Sequence, residues 1–235
     1  MARFLAMMDN HIQNLLLNLK EVKRLLEIHT EVAGSAVGRK HQVEVLNKSG
    51  IVLLSACWEA FVEDMASSAF DFMLSKASDH NSFPTNVLTL ASNNLKKAND
   101  DRRVWELAGS GWRTVLQNHK AEVLDKYVGK LNTPRADNID KMYEQLIGVP
   151  KLSDSWTWRG TSPVQSRQRL SDLVTLRGSI AHRVSTGASV RKSIVIQNTE
   201  FIQRLAVISS NTVALFVNDT VGEFPWVRYS FRRPN

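Results

Sequence analysis

The chain has 235 residues, 43% of them hydrophobic and 23% charged, with a formal net charge of +7. This profile excludes disorder, a collagen-like repeat and a coiled-coil fibre. The scarcity of turn residues, 6 prolines and 11 glycines, argues against a sandwich or barrel, which needs a turn every ~8–12 residues, and leaves an all-α fold as the expectation. The length is enough to bury a full core without covalent staples.

The single Cys57 excludes an internal disulfide and a zinc site of several cysteines. The N-terminal segment MARFLAMMDN holds too short an apolar stretch for a signal peptide, and no later run reads as the ~18 or more apolar residues of a membrane span. A cytoplasmic protein without a membrane partner is the expectation. Charge is unevenly placed. Residues 1–150 hold 18 Lys+Arg against 18 Asp+Glu, and residues 151–235 hold 12 against 5. The basic excess of the last third suggests an anionic partner there, nucleic acid being the commonest; a merely soluble basic surface is the plainer alternative.

In chain order, residues 3 to about 30 read as an amphipathic helix with Leu15, Leu19, Val22 and Leu26 on one stripe, ended by Gly34 and Gly38. A second helix, about 40–77, carries Leu54, Trp58, Phe61, Met65 and Phe72. At 1.5 Å per residue it would be about 57 Å long, the spine of the fold. Shorter helices follow at about 85–97, 101–108, 112–130 and 136–147, with Pro134 just inside the start of the last. The stretch 148–162 has no helical period and reads as an ordered loop. Ser162, Pro163, Val164 and Gln165 then spell a capping box, with proline at the first helical position of a helix running to about His182. An apolar run, Ile194 to Ile196, precedes a final helix, about 198–219, with Phe201, Leu205, Ile208, Thr212 and Leu215 on one side, and the tail 222–235 reads as irregular. The organisation expected is one helical domain over 1–235: a core of about 1–80 and 160–220, a helical insertion at 81–159 and an irregular tail at 221–235.

Motifs for metal hydrolases, P-loop NTPases, dinucleotide enzymes and α/β-hydrolases are all missing from the string. An arginine followed at four to six intervening residues by a histidine occurs three times, as Arg24/His29, Arg113/His119 and Arg177/His182, where about one is expected by chance. Helical geometry separates them. Arg24 lies opposite the apolar stripe of its helix and Arg113 on the flank of a first turn. Arg177 falls near the centre of a stripe formed by Leu170, Leu173, Val174, Ile180 and Ala181. A fixed charge on an apolar stripe needs an acid, a carbonyl cluster or an anion. Gly178, Ser179 and Ala181 strip bulk from the same place, so a second helix or a ligand is expected to approach closely there. His182 lies about 140° around the helix from Arg177, so the two converge only at a frayed helix end or where two copies of the helix meet.

Together the pair suffices for one reaction on RNA. Histidine takes the 2′-hydroxyl proton and arginine holds the phosphate, leaving a 2′,3′-cyclic phosphate and a 5′-hydroxyl with no metal or other cofactor. The structural alternative is that Arg177 pairs with an internal acid such as Glu59 or Asp64 and that His182 caps its helix. Trp156 and Trp158, with Arg159 beside them, have the chemistry to stack unpaired bases and hold phosphate, although a tryptophan over a bundle more often packs as a lid. Arg191 and Lys192 are RNA-backbone candidates or plain surface charges. Cys57 reads as inert packing.

The segment LLSACWEAFVEDM at 53–65, followed much later by LSDLVTLRGSIAHR at 170–183, resembles the RiboL-PSP type of the HEPN superfamily. There a tryptophan-glutamate pair on an early helix and an R-x4-H motif near the end of a later one recur in a helical bundle. The resemblance covers about 1–80 and 160–220, not 81–159. It implies a HEPN-like bundle with an insertion of short helices, and a metal-independent endoribonuclease whose dimer lines a cleft with the arginine and histidine of both protomers. It also implies a place in a prokaryotic defence, stress or toxin system, with an antitoxin or operon partner. Arg177 and His182 become the catalytic pair, and Trp58, Glu59 and Gly178 its structural support. Two positions depart from the usual motif. Gly178 stands where Asn is common, which removes a phosphate-positioning side chain, and Arg183 stands where Gly is frequent, which adds positive charge. Some superfamily members bind nucleic acid or a partner without cutting, so a non-catalytic dimeric helical module is the competing reading.

Overall fold

The computed structural model describes residues 10–33, 43–97, 101–128, 134–182 and 189–231. Its helices are α1 (Asn10–Ala33), α2 (Glu44–Lys76), α3 (Thr85–Lys97), α4 (Gly111–Val128), α5 (Ala136–Leu146), α6 (Pro163–His182) and α7 (Lys192–Val221). Short 3-10 turns lie at His80–Ser82, Asp101–Leu107 and Leu152–Ser155. The all-α expectation holds. The ends of the first predicted helix, at 3–9 and at Gly34 and Gly38, lie outside the described residues.

Helix α2, 33 residues and about 50 Å long, is the axis against which α1, α6 and α7 pack, with α4 and α5 making smaller contacts. Glu44 in its first turn and Lys76 in its last complement the helix dipole. Its buried residues include Leu54, Trp58, Phe61, Met65, Phe70 and Phe72, all part of one continuous core. By length and composition α2 is apolar enough to cross a membrane, and half of that window is buried inside the protein. That apolar average does not come from an unbroken apolar run, since Lys48, Glu59, Glu63, Asp64 and Asp71 interrupt the helix. The burial of α2 among its neighbours makes it the core helix of the bundle.

The partners of α2 are locked onto its backbone. The Tyr143 hydroxyl of α5 donates to the Val62 carbonyl at 2.7 Å. Val190, just before α7, donates its N–H to Glu44 at 3.1 Å and accepts from Asn47 at 2.9 Å. At Gly50 a Cβ would lie 3.1 Å from a Val195 methyl, so the missing side chain lets α7 come close to α2. This contact also explains a corrected boundary. The run Ile194–Ile196 is not a separate segment but the first turn of α7, since Val195 is buried against Gly50 and no proline or glycine interrupts the helix.

Three other expectations shift. Residues 101–107 form a 3-10 turn rather than an α-helix. Pro134 precedes α5, and Arg135 occupies its cap position, so the proline lies outside the helix. On α7 the buried face runs through Phe201, Ile202, Leu205, Ser209, Val213 and Val217, while Leu215 is exposed. The predicted stripe is rotated because the 152–156 turn and the tail cover α7 as well as α2. The capping box at the start of α6 is observed: Gln165 N–H donates to the Ser162 hydroxyl at 3.3 Å, and Ser162 N–H donates to the Gln165 side chain at 2.8 Å. In the tail Trp226 is buried and meets the His11 ring edge-on at 4.3 Å. Burial holds the His11 imidazole down at about 4.

The segment 81–159 is not set apart from the bundle. Helices α3, α4 and α5 pack on one another, and α4 and α5 reach α2. Trp156 drives the end of this segment into the core.

Candidate functional site

Tertiary contacts distinguish the three arginine–histidine pairs. Arg24, exposed on α1, forms ion pairs with Glu27 at 3.3 Å and Glu31 at 3.1 Å. Arg113 caps the C-terminus of α2, donating to the carbonyls of Leu74 and Ala77 and lying over the Trp112 ring. His119 bonds the Gln145 carbonyl at 2.9 Å. Both members of that pair thus hold backbone carbonyls in place.

Arg177 differs. It is half-buried on α6, whose buried side at Leu170, Leu173 and Val174 packs toward α2. The apolar stripe predicted around it is incomplete: Ile180 and Leu176 are half-buried and Ala181 is exposed. Arg177 therefore sits at the edge of the packed surface, not at its centre. Its acidic neighbour is Glu59 of α2, whose carboxyl is held above the usual range by burial first, with Arg177 pulling the other way. The Arg177 charge favours the ionised carboxylate and burial opposes it, with burial the larger effect. Asp64, the other acid considered, accepts instead from the Asn14 side chain at 3.2 Å.

One turn along α2 from Glu59 lies Glu63, half-buried. Its carboxyl is pushed up to about 7 by burial, then by the negative charges of Glu59 and Asp64. The sequence reading missed this residue. The available signal was the i, i+4 spacing of two glutamates, which puts both on one side of the long helix. An unfolded glutamate ionises near 4.5 and folded Glu63 near 7, so stability is fully present below 4.5 and is lost as pH rises through 7. Glu63→Gln is expected to raise stability at pH 8 by about 1–2 kcal/mol after allowance for solvent screening, with the gain fading by pH 5. Urea denaturation at the two pH values measures it, and an equal effect at both would remove the role assigned to the ionised carboxylate.

His182 is the last residue of α6, and its side chain lies outside the described residues, as does all of Arg183. By helical register His182 shares a stripe with Ser171, Thr175 and Gly178. Arg135 reaches onto that stripe, donating to Ser171 and, at 2.9 Å, to Thr175. At Gly178 a Cβ would meet nothing within 4 Å among the described residues, so no described helix of the same chain fills the space that the sequence left for a second helix or a ligand. The surface beside Gly178 is open.

Trp58 is buried, stacked with Phe61 at 5.7 Å and edge-on to Trp156 at 6.0 Å. Its indole Nε1 has no acceptor among the described residues. It is held in the core by ring packing, with Glu59 next to it in sequence on α2.

The loop before α6 is pinned from two sides. Asp140 of α5 accepts from the Ser153 N–H at 2.7 Å and hydroxyl at 2.6 Å, and Arg167 of α6 pairs with Asp154 at 2.5 Å. Trp156 is fully buried, donates to the Ser209 hydroxyl at 2.8 Å and accepts from Ser166 through its carbonyl at 2.8 Å. It is core, as its lid reading anticipates. Trp158 is half-buried and bridges back to Thr161, leaving Arg159 exposed at the turn. Arg191 is exposed before α7, and the Lys192 ammonium donates to the Thr30 hydroxyl of α1. The loop thus brings Trp158 and Arg159 together on one flank, while Arg191 and Lys192 lie at the start of α7. Cys57 is buried and its thiol is pushed up to about 11 by burial, which keeps it protonated and unreactive. Among the described residues no cluster of His, Cys, Asp and Glu is arranged to hold a metal ion.

No curated protein and no solved structure matches the chain. A family model does, that of RiboL-PSP-HEPN, over residues 13–213. The match runs through 81–159, the part for which the sequence reading found no counterpart, in keeping with the packing of α3 to α5 on the bundle. HEPN domains are often ribonucleases, and the family suggests a nuclease or nucleotide-binding role. An all-helical bundle spined by α2, with Glu59 of that helix facing Arg177 of α6 and the match spanning both, places this chain in the RiboL-PSP-HEPN family.

Proposed function

We propose that the protein is a metal-independent endoribonuclease that acts as a homodimer on single-stranded RNA, with Arg177 and His182 as its catalytic pair. One observation carries the reading. Of the three arginine–histidine pairs, one has its arginine paired with two glutamates and another is engaged with backbone carbonyls, while Arg177 lies half-buried at the edge of the core, one residue from the open surface at Gly178.

In the reaction His182 removes the 2′-hydroxyl proton, and the 2′-oxygen attacks the adjacent phosphorus. The bond to the 5′-oxygen breaks and that oxygen leaves as a hydroxyl after taking up a proton. Arg177 offsets the charge on the non-bridging oxygens. Because the two residues lie about 140° apart on α6, the second protomer completes the site. The open space at Gly178 and the exposed Ala181 allow another copy of α6 to approach closely. Arg183, Arg191 and Lys192 then meet the RNA backbone, consistent with the basic excess after residue 150. A place in a prokaryotic defence, stress or toxin system, with an antitoxin partner, belongs to the same proposal and rests on the family alone.

The test is incubation of the purified protein with single-stranded RNA in EDTA. Expected are fragments with 2′,3′-cyclic phosphate and 5′-hydroxyl ends, no cutting of the same sequence in DNA, and binding that weakens steeply as salt rises. RNA retained but never cut would replace the nuclease with the non-catalytic binding module.

A further inference from the structure

A second cluster of positive charge lies away from Arg177, where the turn at 158–161 meets α6 and α7. Trp158, Arg159, Arg169, Glu200, Phe201 and Arg204 line a cleft of about 460 Å³, within the ~300–1,000 Å³ of small-molecule sites. Three guanidiniums face one carboxylate. Arg204 is paired with Glu200 at 3.3 Å and is held between the rings of Trp158 and Phe231, at 5.7 and 4.2 Å from their centroids. Arg169 lies over the Phe201 ring at 4.5 Å and donates to the Gln197 carbonyl at 2.7 Å. Partial desolvation lowers its pKa, Glu200 acting against it. Arg159 has no acidic partner among the described residues. The guanidiniums of Arg169 and Arg204 are thus fixed by rings and a carbonyl before any ligand arrives, and the planar donors of arginine suit phosphate oxygens.

We propose that this cleft binds one nucleotide, its phosphate held by Arg159, Arg169 and Arg204 and its base against the Trp158 indole. A lone phosphate would leave most of the cleft empty, and an uncharged ring compound would leave the excess cations unanswered. The same chemistry has two sources, a free mononucleotide or one unit of an RNA strand. Arg169 precedes Arg177 by about 12 Å along α6 and faces some 80° away, so the cleft is separate from the proposed cleavage pair and stands whether or not that pair cuts RNA.

Titration calorimetry with AMP, adenosine and inorganic phosphate, and fluorescence polarisation with a labelled hexauridylate, test it on the full chain. AMP or the hexamer is expected to bind saturably below millimolar, with adenosine and phosphate each at least tenfold weaker than AMP. Arg159→Ala and Arg169→Gln, with unchanged helicity and melting temperature, should weaken that binding at least tenfold. Trp158→Leu should weaken AMP but not phosphate, and Arg177→Ala should change nothing at this cleft. Whichever of AMP and the hexamer binds more tightly identifies the source. Adenosine binding as well as AMP, the folded Arg159 and Arg169 variants binding like wild type, or no probe binding at millimolar concentration would each overturn the proposal. Loss of cleavage in Arg177→Ala with AMP binding intact separates the two sites.

Discussion

Replacing His182 with alanine is expected to lower the rate of RNA cleavage about 10²–10⁴-fold, the usual contribution of a positioned general base. Binding of RNA should persist, because in the proposed complex the phosphates are held by arginine and lysine. Arg177→Ala should cost about 10²–10³-fold through loss of charge stabilisation at the phosphate, and Arg177→Lys should restore only part of it, since an ammonium lacks the planar fork. The double variant should be little worse than the poorer single one, as groups that act on one transition state are not additive. His182 ends its helix and Arg177 sits at the edge of the core, so both variants should match the wild type in helicity by circular dichroism and in association state by sedimentation. Undiminished cleavage in either folded variant would move the chemistry elsewhere.

Trp156→Ala should be the most damaging change to stability. The side chain is fully buried between α2 and α7, against Trp58 and on the Ser209 hydroxyl. Emptying such a position costs about 3–5 kcal/mol, and here it also leaves a buried hydroxyl without its donor. For a chain of this size the melting temperature should fall by roughly 10 °C or more. Trp158→Ala, two residues on and only half-buried, should shift it by a few degrees. Calorimetry of the two variants side by side checks the assignment of one tryptophan to the core and the other to a surface cleft; equal losses would contradict it.

Much of the architecture was legible in the string because it depends on local regularities. The stripe Leu15, Leu19, Val22 and Leu26, the long apolar α2 and the Ser162–Gln165 box each specify a helix through neighbours within a turn or two. Where two elements compete for one face the local pattern misleads. Leu215 fits the stripe of α7 but is exposed, because the 152–156 turn and the tail bury an adjacent face instead. Gly178 opens onto space that no described residue of the chain fills, since the absence of a side chain does not say what lies opposite.

For the site, residue types and helical register sufficed to single out Arg177 among three arginines and to put Glu59 on its short list of acids. Only the folded chain settles that Glu59 rather than Asp64 is the neighbour, that Arg113 is an α2 cap, that Glu63 titrates near neutrality and that Arg159, Arg169 and Arg204 converge. Those facts depend on which helices touch and on how much water is excluded between them. Desolvation and charge act through space, across residues far apart in the chain, whereas periodicity reports only which side of each helix is greasy.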